Sequence, residues 1–329
     1  MMDRFDIDFI IGNQGTGISL CKNMFHDTFT VLSTKVKKFG RFYYQTGSVT
    51  RYLKRDWDVF FIQAHFRYLD FWLVALLNFF FNKKVIFHGQ GLYRYNEPSL
   101  IRKLIYSFVV RSSYKYLCYN KYCHDDLIKK IGENKKITWA NNFIRVNPEG
   151  ATQTTSPQTK DILFIGRIRE RNGLEDFLDE FVSYKYLKEV CIHIIGGGTD
   201  LERLTKKYFN EPRVIFHGML VNDQDINLIS SFCKFGIYPG DAGLSVLHYA
   251  SLGLIPIFHS DYSNHMGPEF SYFSEHFSSI TYNRSDYKDA IKKIMAINSN
   301  SELNGSVFFD IYKNVEVHSF GRVFHDIVS

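Results

Sequence analysis

Three segments of the chain carry residues whose types and spacing suit the binding of an anion. The first is Gly166-Arg167, which follows the apolar run Leu163-Phe164-Ile165 and precedes Gly173. A guanidinium at the end of a strand offers a planar fork of donors that matches phosphate oxygens. Arg169 and Arg171 follow closely, so the same stretch could equally be a solvated basic loop. The second segment is Tyr238-Pro239-Gly240-Asp241-Ala242-Gly243-Leu244-Ser245-Val246-Leu247-His248. An apolar strand here runs into a glycine loop and then an apolar helix. Backbone N–H groups exposed at such a start favour an anion, and the helix dipole adds to this. His248 falls in the first turns, as a ligand contact or as a satisfied core histidine. The third, Ile195-Gly196-Gly197-Gly198-Thr199-Asp200, ends a strand and opens a helix capped by Thr199 or Asp200. Its glycines by themselves need only make the turn.

Loops of this kind require strands before them and helices after them. In the second half of the chain, apolar runs predict strands at 161–165, 190–195, 213–216, 235–238 and 254–258. Helical spacing fits 174–183, 199–208, 222–232 and 243–252, and the tail from about 286 reads as helical. The first half shows the same alternation. Strands are expected at 5–11, 58–63, 84–87, 115–119 and 137–140, and helices at 68–81, 98–113 and from the cap Asn120 to 131. Residues 146–160 interrupt this with Pro148, Gly150 and Pro157 in a polar stretch that reads as a linker. The expectation is two doubly wound α/β domains, 1–150 and 151–310, with a final helix over 311–329 that packs back on the first. Ligands in such folds bind at the carboxyl ends of the strands, and with two domains the natural site is the cleft between them.

Charge divides along the same line. Residues 1–150 hold 23 Lys or Arg against 12 Asp or Glu, while the rest of the chain is net acidic although the whole carries +6. A basic half rich in Phe and Tyr suits an anionic surface. Arg102-Lys103 and the stretch 111–121 lie near the apolar run 71–81. That run is about half the ~20 residues that a spanning helix needs, so it is expected to be buried or to touch a bilayer without crossing it. The N-terminus lacks a basic segment followed by an apolar one, so no signal peptide is expected. The five cysteines are scattered, odd in number and without paired metal spacing, which suits reduced thiols. Cys123 and His124 alone do not make a metal site. Gly12, Gly15 and Gly17 follow the first strand, but no Gly-x-Gly-x-x-Gly with an acid about 20 residues on stands there, which argues against a nicotinamide enzyme.

The order of these pieces resembles the family 4 retaining glycosyltransferases of the GT-B fold. The family's strand-Gly-Arg-Leu with a later Lys-Gly is similar to Phe164-Ile165-Gly166-Arg167-Ile168-Arg169-Glu170-Arg171-Asn172-Gly173. Its Gly-x-Gly is similar to Gly196-Gly197-Gly198, and its Val-x-Phe-x-Gly to Val214-Ile215-Phe216-His217-Gly218. Its Gly-Leu with a later Gly-x-Pro is similar to Gly243-Leu244 and Gly253-Leu254-Ile255-Pro256, and its Pro-Glu to Pro268-Glu269. Five pieces stand in the right order over about 110 residues. The resemblance implies two Rossmann-like domains facing a cleft, with the donor in the second.

By the same resemblance, Gly166 and Arg167 would meet the donor diphosphate, with Arg171 and Asn172 beside them. Gly197 would belong to the donor site, and Gly218 would border the nucleotide base. Gly243, Leu244 and Ser245 would hold phosphate, and His248 would bond ribose hydroxyls. In the first half, His88 would approach sugar and acceptor, Gly15 would lie near the donor phosphate, and Asn142 would take a left-handed backbone in the last strand's turn. The sequence departs from the family at three places. Asn172 replaces a lysine, so Arg169 or Arg171 would have to supply its charge. Gly240 replaces the first glutamate of an acidic pair, which leaves Asp241 as its nearest substitute, and His248 replaces the second. A Pro-Gly-x-x-Gly-Leu…His variant of the loop resembles a bacterial subgroup that builds surface polysaccharides. The implied activity is retaining, metal-independent transfer from a nucleoside-diphosphate sugar, UDP before GDP, to a free or lipid-linked saccharide. The implied place is the cytoplasmic face of the plasma membrane, with no cofactor and no nucleic acid. The departures also fit a non-catalytic GT-B subunit that supports a partner enzyme.

Overall fold

Short runs of Val, Ile, Leu and Phe buried on both faces build parallel sheets, and the amphipathic segments between them become the crossover helices. A computed structural model describes residues 8–13, 30–54, 56–145, 160–299 and 303–328. These fall into two compact units, one within 1–93, 97–140 and 320–329, the other within 94–96 and 141–319. Gly15, Gly17, Cys21 and nearly all of the polar stretch 146–160 lie outside the described residues.

The first unit opens with a small sheet. Strand β1 (Asp8–Asn13) pairs in parallel with β2 (Thr30–Phe39), which turns at Gly40, φ +58°, into antiparallel β3 (Phe42–Gln45). This hairpin escapes the pattern reading, because Lys35, Lys37 and Lys38 interrupt the apolar run and make it look like a solvated segment. After α1 (Ser48–Lys54) come β4 (Phe60–Gln63), α2 (Leu69–Phe81), β5 (Val85–Gly89), α3 (Leu100–Ser112), β6 (Lys115–Cys118), α4 (Lys121–Ile131) and β7 (Ile137–Trp139). The four strands β4 to β7 form one parallel sheet in chain order. Asn120 caps α4, its Oδ1 accepting from the Cys123 N–H at 3.0 Å, as its place before the helix predicts.

The second unit alternates β8 (Asp161–Ile165), α5 (Leu174–Ser183), β9 (Ile192–Ile195), α6 (Leu201–Lys207), β10 (Val214–Gly218), α7 (Asp223–Ser230), β11 (Cys233–Ile237), α8 (Ser245–Ser251) and β12 (Ile255–His259). Then follow α9 (Phe277–Ile280), β13 (Thr281–Tyr282), α10 (Tyr287–Ser299) and α11 (Gly305–Val317). Its sheet is parallel, in the order β10-β9-β8-β11-β12-β13. The last helix, α12 (Phe320–Val328), belongs to the first unit. There Ile327 joins the buried cluster of Ile86, Leu117 and Ala140.

The strand order fixes where a ligand can sit. From β8 the chain winds outward through β9 and β10, then returns across β8 to β11 and winds the other way. The crevice at the carboxyl ends of β8 and β11 is therefore a topological switch point, where open α/β sheets bind ligands.

Candidate functional site

Gly166 and Arg167 leave the end of β8, and Gly240 to Ser245 leave the end of β11, one on each side of the switch point. The strands separate there. The β8–β11 ladder ends at Leu163 and Gly236, although each strand runs on. In its place the Tyr249 hydroxyl accepts from the Ile165 N–H at 3.0 Å and donates to the Ile237 carbonyl at 2.8 Å. The Tyr249 ring lies directly over Gly236, where any Cβ would collide with it. This fully buried tyrosine acts as a wedge that satisfies both strands while holding them apart. Pattern reading makes Tyr249 one more apolar residue of α8, since nothing local marks its hydroxyl as a bridge. Tyr249→Phe leaves a buried N–H and C=O without their partner, so unfolding free energy should fall by about 1–3 kcal/mol. Denaturant titration measures this, and an unchanged midpoint would show that the strands close by themselves.

The neighbouring loops are stitched to one another by backbone. Gly166 N donates to Ile195 O at 3.0 Å, Ile168 N to Gly197 O at 2.9 Å, and Gly196 N to Gly218 O at 2.7 Å. Gly196 and Gly198 have φ of +149° and +157°, and a side chain on either would strike the carbonyl of Gly166 or Ile168. The glycines thus do more than turn the chain: they allow the ends of β8, β9 and β10 to close up. A register shift beside His217 gives Gly218 a φ of +71° at the rim. The predicted positions Gly166, Gly197 and Gly218 are brought together in this way.

The 166–173 loop is closed by Asn172. Its buried side chain donates to the Arg167 carbonyl and accepts from Arg169 Nε at 3.1 Å. Arg169 also reaches Met266 Sδ at 3.8 Å. Asn172 and Arg169 therefore hold the loop in shape. Arg167 is exposed, and no hydrogen bond or ion pair ties its guanidinium among the described residues. For Arg171 only the backbone, within the 3-10 turn Glu170–Asn172, is described.

Across the switch point, the loop after β11 rests on a buried histidine pair. His265 Nδ1 accepts from the Ala242 N–H at 2.9 Å, and its Nε2 donates to the His259 carbonyl at 3.0 Å. The two rings stack 4.1 Å apart. His259 Nε2 donates to Asp241 Oδ1 at 3.2 Å, and Arg284 meets the same oxygen at 2.8 Å. Burial holds both imidazoles neutral, His259 at about 4 with Arg284 adding to the effect, and His265 at about 3. Asp241 is thus engaged by Arg284 and His259. Gly243 faces Met266 and Gly267, and Met266 N donates to Ala242 O at 2.7 Å. Leu244 and Ser245 stand at the start of α8, and no side chain caps that start.

His248 lies one turn into α8 with its Nε2 buried and without a hydrogen-bond partner. Burial lowers its pKa, and Asp223 at the start of α7 opposes this. His88 belongs to the first unit, at the end of β5. Its ring stacks on Tyr119 at 4.4 Å, and burial lowers its pKa to about 4. Asn142 does not take a left-handed backbone, since Asn82 and Ser285 are the only non-glycine residues with positive φ among those described. Its amide donates to Glu269 Oε1 at 2.5 Å, a bond between residues far apart in sequence. Burial raises the Glu269 pKa.

No family model and no curated protein matches the sequence. Solved structures do resemble it. HepE of Anabaena in complex with UDP aligns over 98% of both chains, with a TM-score of 0.63 at 10% identity. A glycosyltransferase of Rickettsia africae aligns over 90% of this chain and 83% of its own, with a TM-score of 0.61 at 11% identity. The apo form of WaaB, a lipopolysaccharide outer core galactosyltransferase, covers 91% of this chain and 83% of its own, with a TM-score of 0.56 at 12% identity. At these identities the likeness is one of architecture: the chain has the α/β GT-B fold, with a parallel sheet in each unit.

Proposed function

We propose that the chain transfers a sugar from a nucleoside-diphosphate sugar, UDP before GDP, to a hydroxyl of a saccharide acceptor. The observation that carries this reading is the convergence at the switch point. Gly166, Arg167, Gly197 and Gly218 meet on one side, and the loop of Gly243, Leu244 and Ser245 stands on the other. Arg167 is the group proposed to take the charge that develops on the departing diphosphate. His248, whose Nε2 lacks a protein partner, is proposed to bond a ribose hydroxyl. His88 is the proposed acceptor-side group.

In the retaining, metal-independent chemistry proposed here, the diphosphate leaves and the acceptor hydroxyl attacks from the same face. The acceptor proton passes to a leaving-group oxygen. The proposed acceptor is a lipid-linked saccharide of a bacterial capsule, O-antigen or exopolysaccharide, met at the cytoplasmic face of the membrane.

One observation favours a second reading, a GT-B subunit that binds the nucleotide for a partner enzyme: Asp241, the acid nearest the missing glutamate, is already paired. Thermal unfolding with UDP, GDP and phosphate tests nucleotide binding. A ligand at 100 times its Kd should stabilise by about 2.7 kcal/mol, and UDP is expected to exceed the others. Equal indifference to both nucleotides would overturn the site, while UDP binding without donor hydrolysis or transfer would favour the second reading.

A further inference from the structure

Helix α2 is apolar on the side that faces away from its own core as well as on the side that faces it. Phe71, Val74 and Ala75 are buried, while Leu69, Leu73, Leu76 and Phe80 form an exposed stripe at spacings of four, three and four residues. Leu76 keeps 49% of its surface exposed and Phe80 73%. Helix α3 extends the patch, with Ile101 at 71% and Leu104 at 60% exposed. Phe79 of α2 and Phe108 of α3 touch at 5.6 Å between ring centres, so the two helices present one surface. A water-facing helix ordinarily carries charge on that stripe, and a contiguous exposed apolar patch marks a binding surface.

The charge on the two helices indicates what covers the patch. Helix α3 carries Arg102, Lys103 and Arg111 and no acid, Lys83 and Lys84 follow the end of α2, and the one acid of α2, Asp70, is buried. At the carboxyl end of α2, Phe81 lines an open cleft of about 450 Å³ together with Trp57, Asp58, Lys83 and Lys84. Apolar side chains beside aromatic and cationic ones match the boundary between acyl chains and anionic headgroups. A second copy of the chain fits poorly, since the cations of α3 would face their own copies without acids to pair them. No helix among the described residues is long and apolar enough to cross a membrane, so the contact is with the surface.

We propose that the α2–α3 face docks this protein on an anionic lipid bilayer, with the Leu76–Phe80 stripe and Ile101 and Leu104 entering the acyl boundary. This deepens the membrane part of the proposed function by naming the surface. The test floats the full chain with vesicles of phosphatidylcholine, alone or mixed with phosphatidylglycerol. The protein is expected to float with the mixed vesicles and to be released by salt. Leu76→Ser with Phe80→Ser should lower the bound fraction roughly tenfold or more. Both positions are exposed, so this variant should keep the parent's circular dichroism and its stabilisation by UDP. A parent chain that ignores both vesicle types overturns the proposal, and so does a folded double variant that floats as well as the parent. A variant that loses self-association in light scattering, with no change in lipid binding, makes the patch a homomeric interface and also overturns it. Donor binding is read separately by UDP stabilisation, so failure of docking and failure of the donor site remain distinguishable.

Discussion

Arg167→Ala is expected to lower glycosyl transfer by about 10²-fold or more, as removal of a charge-stabilising donor does in other active sites, while the protein stays folded. Arg169 is engaged with Asn172 and Met266, and Asn172 stands where the resemblance would place a lysine. Asp241 already has its cation in Arg284. Arg167 is the exposed cation at the end of β8 whose guanidinium has no protein partner among the described residues. Its removal takes little from the fold, and surface substitutions of this kind usually stay within about 0.5 kcal/mol. Arg167→Lys keeps the charge but loses the fork of donors, so it should fall between the parent and the alanine variant. Turnover with the donor, read beside the thermal shift with UDP, separates loss of catalysis from loss of binding. A folded Arg167→Ala protein with unchanged turnover would falsify this assignment.

The parts of this molecule that were legible in its sequence are those written in local pattern. The strand over 161–165 and the helix over 174–183 stand where the apolar periods predict them, because strands buried on both faces and amphipathic helices differ plainly in period. The glycines at 196 and 198 were legible as turns. Their second task, close approach to Gly166 and Ile168, depends on a neighbouring strand and leaves no local mark. Tyr249 and the stacked pair of His259 and His265 were illegible for the same reason. Each acts across distances of many residues, on a backbone group that any residue could supply. The β2–β3 hairpin was hidden by its lysines. The exposed stripe on α2 was half legible: the apolar run announced a helix, but only packing shows which residues the core leaves uncovered.

The departures from the family pattern at positions 172 and 240 are one structural feature, and Gly240→Glu is the substitution that exposes it. By resemblance alone, a glutamate at 240 restores an expected carboxylate and should improve transfer. The geometry predicts the reverse. A Cβ on Gly240 would meet the Asn172 O, C and Cα atoms at 2.8–2.9 Å. These are backbone atoms of a loop closed by the Asn172 side chain, by Arg169 and by the bond from Ile168 to Gly197. The backbone cannot move aside without shifting Arg167. Overpacking of this kind costs about 1–3 kcal/mol, and Gly240→Ala should already show it as a lower unfolding midpoint. The glutamate variant adds a negative charge beside the loop proposed to hold the diphosphate, so its affinity for UDP should fall further, by about tenfold for each 1.4 kcal/mol lost. Calorimetry with UDP on the parent, Gly240→Ala and Gly240→Glu proteins orders the three. If Gly240→Glu binds UDP as tightly as the parent and transfers faster, the two loops are not packed as described, and the glycine is a simple loss. If affinity falls in the order glycine, alanine, glutamate, the close contact between Gly240 and Asn172 is what holds Arg167 at the switch point. The missing acid is then the condition for the loop that replaced it.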